Sequence, residues 1–248
     1  MRITLSFSSL KDFGELFFGL KLRDILQSYG FEMEKIGECE PIKTDYSEHE
    51  FQRLWNQDRT LCSVLFKGRK KHRFLGMAGW SAKKFRNDGT INGVNVWLTI
   101  PPKYDYSELI RIGDELFLQT EALHGYISEN SKDYTKTFIQ KNGCQVSMGN
   151  IYKGIPCLMW VNYFGRPYMS ENGLRFPDNQ TLLGHGTRVK MTDAPTDERL
   201  SDMTFINDSI MEMGADWFFL FDTVENGVGV PAEEMNMKRR RIPDFGSF

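Results

Sequence analysis

Cysteine is scarce and scattered in this chain. It has four cysteines among 248 residues, and no two of them form a C-x-x-C pair or lie at metal-ligand spacing from a histidine. They are Cys39, Cys62, Cys144 and Cys157. The sequence therefore predicts free thiols in a reducing compartment, and neither a disulfide framework nor a metal site.

Long apolar runs are also absent. No stretch of about 18 apolar residues occurs, and the opening of the chain turns polar at Ser8 and Ser9, too early for the apolar region of a signal peptide. We therefore expect a cytoplasmic protein with no membrane partner. The composition, 40% hydrophobic and 26% charged, is typical of globular proteins and excludes disordered and collagen-like classes. The length allows one large domain or two small ones.

Signatures of catalysis are missing as well. The chain has no glycine-rich phosphate loop, no H-E-x-x-H zinc motif and no G-x-S-x-G nucleophile elbow. Its four histidines lie far apart, at positions 49, 72, 124 and 185. We therefore assign no catalytic, cofactor-binding or metal-binding residue and expect no enzyme. One alternative stays open: a hydrolase or transferase whose carboxylate and histidine site is assembled in space, since a chain with 33 Asp and Glu offers many such pairs.

What is present is a mixture of strand and helix periodicities. In the first half, these predict a strand over 2–7, a helix over 10–29, a hairpin of strands 61–66 and 74–80, a strand over 94–100 and a helix that begins after Asp105. In the second half, they predict a strand over 155–164, a turn at 184–186, a strand over 187–192, a helix from Pro195 to Gly214 and a strand over 217–221.

This order of elements predicts an α+β fold, with antiparallel sheets and helices packed on one face. We expect an N-terminal half over residues 1–124, a C-terminal half over residues 125–225 packed on it, and an irregular tail over residues 226–248. The pattern leaves open whether the two halves are similar subdomains.

The formal net charge of -2 hides three blocks of opposite sign. Residues 32–50 carry seven acids against two lysines, residues 67–86 carry eight basic residues and no acid, and residues 193–225 carry nine acids against one arginine. Such blocks are either solvated faces that neutralise one another or surfaces that steer a partner of opposite charge. For the last block, the candidate partner-binding residues are Asp197, Asp202, Asp208 and Glu212.

The most distinctive passage is aromatic and reads W-V-N-Y-F-G-R-P-Y at residues 160–168. As a strand it would place Trp160, Asn162 and Phe164 on one face, and Gly165 and Pro167 would then force a turn. We expect Tyr163 and Tyr168 to be exposed aromatic anchors for a partner, although such a passage is also typical of a core strand.

This passage resembles the W-x-N-Y-F-G-x-P-Y segment of bacterial proteins that look like immunity proteins of polymorphic or type VI secreted toxins. The resemblance covers residues 74–222 loosely. It implies a small cytoplasmic α+β protein that binds and neutralises one secreted toxin stoichiometrically, and it transfers no binding residue.

Our leading hypothesis is therefore an antitoxin-like immunity protein whose partner is a toxin with a basic surface. We expect no nucleic-acid partner, because the basic hairpin lacks interleaved aromatic residues. Besides the enzyme, a structural or assembly protein of a mobile element is a further alternative. The sequence names neither the toxin nor the oligomeric state.

Overall fold

The computed structural model has a mixed α+β fold that divides into two compact units, Met1–Tyr126 and Ile127–Phe248. Among the described residues, antiparallel strand pairing and five α-helices confirm the predicted fold class. The structure describes residues 1–57, 59–70, 72–81, 91–101, 103–129, 138–141, 144–147, 155, 157–169, 174–218, 221–225, 228–231 and 241–243.

The first unit is built on a sheet with strand order β7-β1-β6-β5-β4-β2-β3. Its strands are β1 (Arg2–Ser9), β2 (Lys35–Gly37), β3 (Thr44–Asp45), β4 (Cys62–Gly68), β5 (Arg73–Trp80), β6 (Asn92–Thr99) and β7 (His124–Glu129), the last of which continues into the second unit. The predicted hairpin is confirmed as β4 and β5, which pair antiparallel with Cys62 opposite Trp80.

One face of this sheet carries the core of the first unit. Alternate residues of β4, β5 and β6 are buried there, such as Val64 in β4 and Val96 in β6. The helices of the unit are α1 (Leu16–Ser28), α2 (Glu48–Trp55) and α3 (Tyr106–Thr120). The ring of Trp55 on α2 stacks on Trp80 of β5 at 5.2 Å between ring centroids, so α2 packs on this buried face. The opposite face of β4, β5 and β6 is partly exposed along most of its length.

In the second unit, antiparallel strands of the sheet lie in the order β11-β12-β10, and other described strands form two short hairpins. Its elements are β8 (Phe138–Lys141), β9 (Cys144–Ser147), β10 (Val161–Gly165), α4 (Arg166–Met169), β11 (Thr181–Leu183), β12 (Gly186–Lys190), α5 (Met203–Gly214), β13 (Phe221–Glu225) and β14 (Val228–Pro231). Strand β14 lies inside the segment that the sequence predicts to be irregular.

The predicted helix over 10–29 begins later than expected, at Leu16. Two side chains form tight turns before it: the Ser9 hydroxyl accepts from the Lys11 amide at 2.9 Å, and the Asp12 carboxylate accepts from the Gly14 amide at 2.9 Å. Both residues therefore act in local turns that compete with helix formation, which is why neither caps α1.

The single helix predicted from Pro195 to Gly214 is two elements. A 3-10 helix occupies Glu198–Ser201, and α5 begins only at Met203, after the cap Asp202. Of the described residues in the predicted strands over 155–164 and 217–221, residues 161–164 and Phe221 lie in strands, Ile155 and Phe218 form an isolated parallel bridge, and Trp217 ends a 3-10 turn. Residues 156, 219 and 220 lie outside the part of the chain that the structure describes.

Candidate functional site

The side chain of Asn162 holds the start of the aromatic passage through two hydrogen bonds to the backbone. The side-chain carbonyl of Asn162 accepts a hydrogen bond from the amide of Met159 at 2.7 Å, and its NH₂ group donates to the carbonyl of Met159 at 2.9 Å. Both residues are buried. The amide side chain thus satisfies two backbone groups that no neighbouring strand pairs, which explains why an asparagine stands in an otherwise apolar passage.

Trp160 connects the same passage to the segment that leads to the acidic block. Its indole N–H donates to the carbonyl of Thr192 at 2.9 Å, and its own carbonyl accepts from the amide of Met191 at 2.9 Å. Thr192 directly precedes Asp193, so these bonds fix the point at which the chain leaves β12 for the acidic region.

Tyr163 and Tyr168 are not exposed anchors, and that prediction was wrong. Tyr163 has no exposed surface and Tyr168 has 1%. All five residues of β10 are buried, so both faces of this strand are covered and the inference from alternation failed. Helix α4 follows β10 directly and turns Tyr168 toward Phe164 and Trp217, with ring centroids 5.9 Å and 6.4 Å away. Burial raises the pKa of Tyr168 above its usual range.

Two of the four candidate acids serve as helix caps. The carboxylate of Asp197 accepts from the amide of Arg199 at 3.0 Å and pairs with the Arg199 guanidinium at 2.8 Å. Asp202 caps α5 by accepting from the amide of Thr204 at 2.9 Å. Their positions are therefore explained by local structure. An Asp directly before a run of residues with helical apolar spacing is typical of a helix cap, and this signal could have identified Asp202 as a cap.

The other two acids point outward from α5. Asp208 and Glu212 are both exposed, and neither forms an ion pair with a residue that the structure describes. Between them on the same face lies Met211, which is 60% exposed although it is a large apolar side chain. Helix α5 contains no lysine or arginine. We call Asp208, Met211 and Glu212 the α5 face.

The acidic block of the first unit differs, because its carboxylates are paired locally. Four ion pairs join Glu38 to Arg59 at 2.7 Å, Asp45 to Lys35 at 2.6 Å, Glu48 to Arg23 at 2.7 Å and Glu50 to Arg53 at 2.9 Å. Lys35 lowers the pKa of the Asp45 carboxyl. Basic side chains of the first unit thus neutralise much of the charge of residues 32–50, whereas no described basic side chain pairs with the α5 face.

The histidines show no arrangement for catalysis in the part of the chain that the structure describes. His49 is exposed beside Glu50, and His72 packs its ring against Phe31 and Tyr104. Burial lowers the pKa of His124 to about 4, which keeps its imidazole neutral at physiological pH. No group of three or more His, Cys, Asp or Glu that could hold a metal ion occurs among the described residues.

Comparisons with known proteins are sparse. No family model matches the chain, and no curated protein matches it. A solved structure that it resembles is that of the Pseudomonas aeruginosa T6SS protein PA0821, with a TM-score of 0.51 and 12% sequence identity, over 87% of this chain and 76% of that chain. The likeness lies in the fold. Among the described residues, no helix combines the length and apolar character that a membrane span needs.

Proposed function

We propose that this chain is an immunity protein that binds and neutralises one secreted protein toxin in the cytoplasm, and that the α5 face meets a basic surface of that toxin. The observation that carries the proposal is two exposed carboxylates, Asp208 and Glu212, that form no ion pair with a described residue and lie beside the exposed side chain of Met211. An apolar side chain with charges of one sign on either side can bury apolar surface against a partner while the charges attract a partner of opposite charge.

Electrostatics within α5 favours a cationic partner. Asp208 and Glu212 stand four residues apart on one helix face, where like charges destabilise a helix by about 0.2–0.5 kcal/mol. Glu212 also lies in the last turn, beside the negative end of the helix dipole, and no basic residue compensates there. The free protein therefore holds an unfavourable arrangement of charge that a lysine or arginine of the partner would relieve.

The remaining candidate residues then support this face from within the second unit. Asp197 and Asp202 fix the start of the acidic region as caps, and Tyr163 and Tyr168 belong to the buried core of the second unit. The solved structure with a similar fold is a type VI secretion protein, and that context supports an association of this chain with the same kind of system.

The decisive experiment is co-expression with the toxin encoded by the neighbouring gene. We expect a 1:1 complex, rescue of growth, and an association rate that falls when salt is raised from about 50 mM to about 500 mM. The variant with Asp208→Lys and Glu212→Lys should lose rescue. Its control carries the same change of charge at Glu32 and Glu40, which are also exposed, and should protect fully. If the unmodified chain forms no complex with the toxin and does not rescue growth, the proposal is refuted.

A further inference from the structure

The outer face of the sheet in the first unit carries a cluster of cations around an indole ring. Trp97 on β6 lies opposite Thr4 of β1 and Leu75 of β5. Two residues further along β6, Thr99 lies opposite Arg2 and Arg73 in the same two strands. Since side chains two residues apart share a face, both arginines flank the tryptophan diagonally. We call this surface the open sheet face; it comprises Arg2, Leu65, Lys67, Arg73, Leu75, Met77 and Trp97.

The cations of this face have no partner in the described chain. Arg2 and Arg73 are exposed and Lys67 is partly exposed, and none of the three forms an ion pair with a described residue. By contrast, Lys35 of β2, which lies opposite Lys67 of β4, forms an ion pair with Asp45 at 2.6 Å. The Trp97 ring is partly exposed and makes no hydrogen bond or ring contact with the residues that are described.

The composition of the open sheet face fits a protein better than a nucleic acid. Tryptophan and arginine are the residues most enriched at the energetic centres of protein interfaces. Sheets that bind single strands present several aromatic rings for successive bases. Here one ring stands among Leu65, Leu75 and Met77, and these aliphatic side chains offer no flat surface on which a base could stack.

An occupant with the complementary chemistry exists in the same sequence. The α5 face presents Met211 between two carboxylates, whereas the open sheet face presents Trp97 and Leu75 between guanidinium and ammonium groups. Asp208, Met211 and Glu212 are exposed, and so are Arg2 and Arg73. The net charge of -2 adds little repulsion between copies.

We propose that the open sheet face is a docking surface for the α5 face of a second copy of this chain. The contact joins two different surfaces, and each copy carries one of each, so a pair of copies offers two complementary combinations of these surfaces. A single helix face on a few strands buries less than the 1,200 Å² or so of a standard interface, and we therefore expect weak, concentration-dependent association.

Sedimentation equilibrium of the purified chain, without any toxin, tests this proposal. From about 5 µM to about 500 µM, the mean mass of the unmodified chain should rise from that of one copy toward that of two. The sheet variant, Arg2→Glu with Arg73→Glu, and the helix variant, Asp208→Lys with Glu212→Lys, should each stay monomeric. A control with Lys21→Glu and Arg111→Glu, two exposed cations on α1 and α3, should associate like the unmodified chain.

A mixture of the two variants is the sharpest arm of the experiment. The reversed helix of one then faces the reversed sheet of the other, and the second combination joins two unmodified surfaces. Mixing should therefore restore association to within about threefold of the unmodified chain and should weaken it when salt is added. Circular dichroism and the unfolding temperature confirm beforehand that each variant is folded.

Three results of the sedimentation measurements would overturn the proposal, and a fourth comes from a test with DNA. One is an unmodified chain that stays monomeric at every concentration, and another is association that survives in both variants. The third is a failure of the mixed variants to associate. Binding of a single-stranded DNA oligonucleotide by the monomeric chain, lost in the sheet variant, would assign the open sheet face to nucleic acid and would equally exclude the second copy as its occupant.

Discussion

The indole N–H of Trp160 donates to the carbonyl oxygen of Thr192 at 2.9 Å, across 32 residues of sequence. This bond ties the aromatic passage to the residue that precedes the acidic region. Trp160 therefore holds the chain in place where the acidic region begins, and it is itself buried, with 1% of its surface exposed. Motifs that stand out in a sequence can thus be the support of a binding surface instead of its contact residues.

Replacing Trp160 tests this supporting role. Trp160→Phe removes the donor, leaves the Thr192 carbonyl without its partner and opens a space in the core, so it should lower the free energy of unfolding by about 1–3 kcal/mol. Urea unfolding followed by circular dichroism measures the change. The matched control is Trp97→Phe, on the open sheet face, for which we expect less than about 1 kcal/mol. Equal losses at both positions would contradict the assignment.

Replacing Asn162 should lower the free energy of unfolding even more than replacing Trp160. Asn162→Leu keeps a similar volume but leaves both the amide and the carbonyl of Met159 buried without a partner, at about 1–3 kcal/mol for each group. We expect a loss of about 2–5 kcal/mol in urea unfolding. Asn95→Leu is the control, because Asn95 is partly exposed and water can replace its bond to Ser6. A loss below about 1 kcal/mol at Asn162 would show that the two bonds contribute little.

Much of the fold follows from local patterns in the sequence. Two short apolar runs separated by a polar stretch with a glycine predict β4 and β5, and Asp105 marks the start of α3, where its carboxylate accepts from the Ser107 amide at 2.9 Å. The exposure of Tyr163 and Tyr168 could not be predicted in the same way. Alternation tells which residues share a face of a strand, but not whether other parts of the unit cover the second face, as they do for β10.

The site was predictable only as a region. Counting acids identifies residues 193–225, but Asp197 and Asp202 look the same as Asp208 and Glu212 in such a count. What separates them is whether a backbone amide lies within reach, and that depends on where the helices begin. The division between the 3-10 helix and α5 at Asp202 therefore decides which carboxylates are available to a partner.

Stability measurements on two aspartates should expose this division. Asp202→Ala removes the cap of α5 and should cost about 0.5–2 kcal/mol. Asp208→Ala replaces an exposed residue of low helix propensity inside the same helix, and it removes the repulsion between Asp208 and Glu212. It should therefore raise the free energy of unfolding by roughly 0.5 kcal/mol. Thermal unfolding at one pH compares both variants with the unmodified chain. If both substitutions destabilise the protein equally, the distinction between cap and surface is wrong.

The buried His124 predicts how stability depends on pH. Its pKa is about 4 in the folded chain, against 6.5 for an ordinary histidine, so between these values the unfolded chain binds more protons than the folded one. The contribution of His124 is therefore complete above pH 6.5 and is lost as the pH falls toward 4, up to about 3 kcal/mol in all. In urea unfolding at several pH values, His124→Gln should flatten this dependence. His49→Gln, at an exposed position, should leave it unchanged; a slope that His124→Gln does not alter would refute the assignment.

Glu212 predicts a conflict between stability and binding. Glu212→Gln removes a negative charge from the last turn of α5 and from the neighbourhood of Asp208, and should raise the free energy of unfolding by about 0.3–1 kcal/mol. The same change should weaken the complex with the toxin, because the α5 face then offers the toxin one carboxylate instead of two. Urea unfolding gives the first quantity, and titration calorimetry against the purified toxin gives the second. Glu40→Gln, also exposed, should leave binding unchanged. A variant that is more stable and binds as tightly would exclude Glu212 from the interface, since a charge that disfavours its own helix and contributes nothing to binding has no role in the proposed contact.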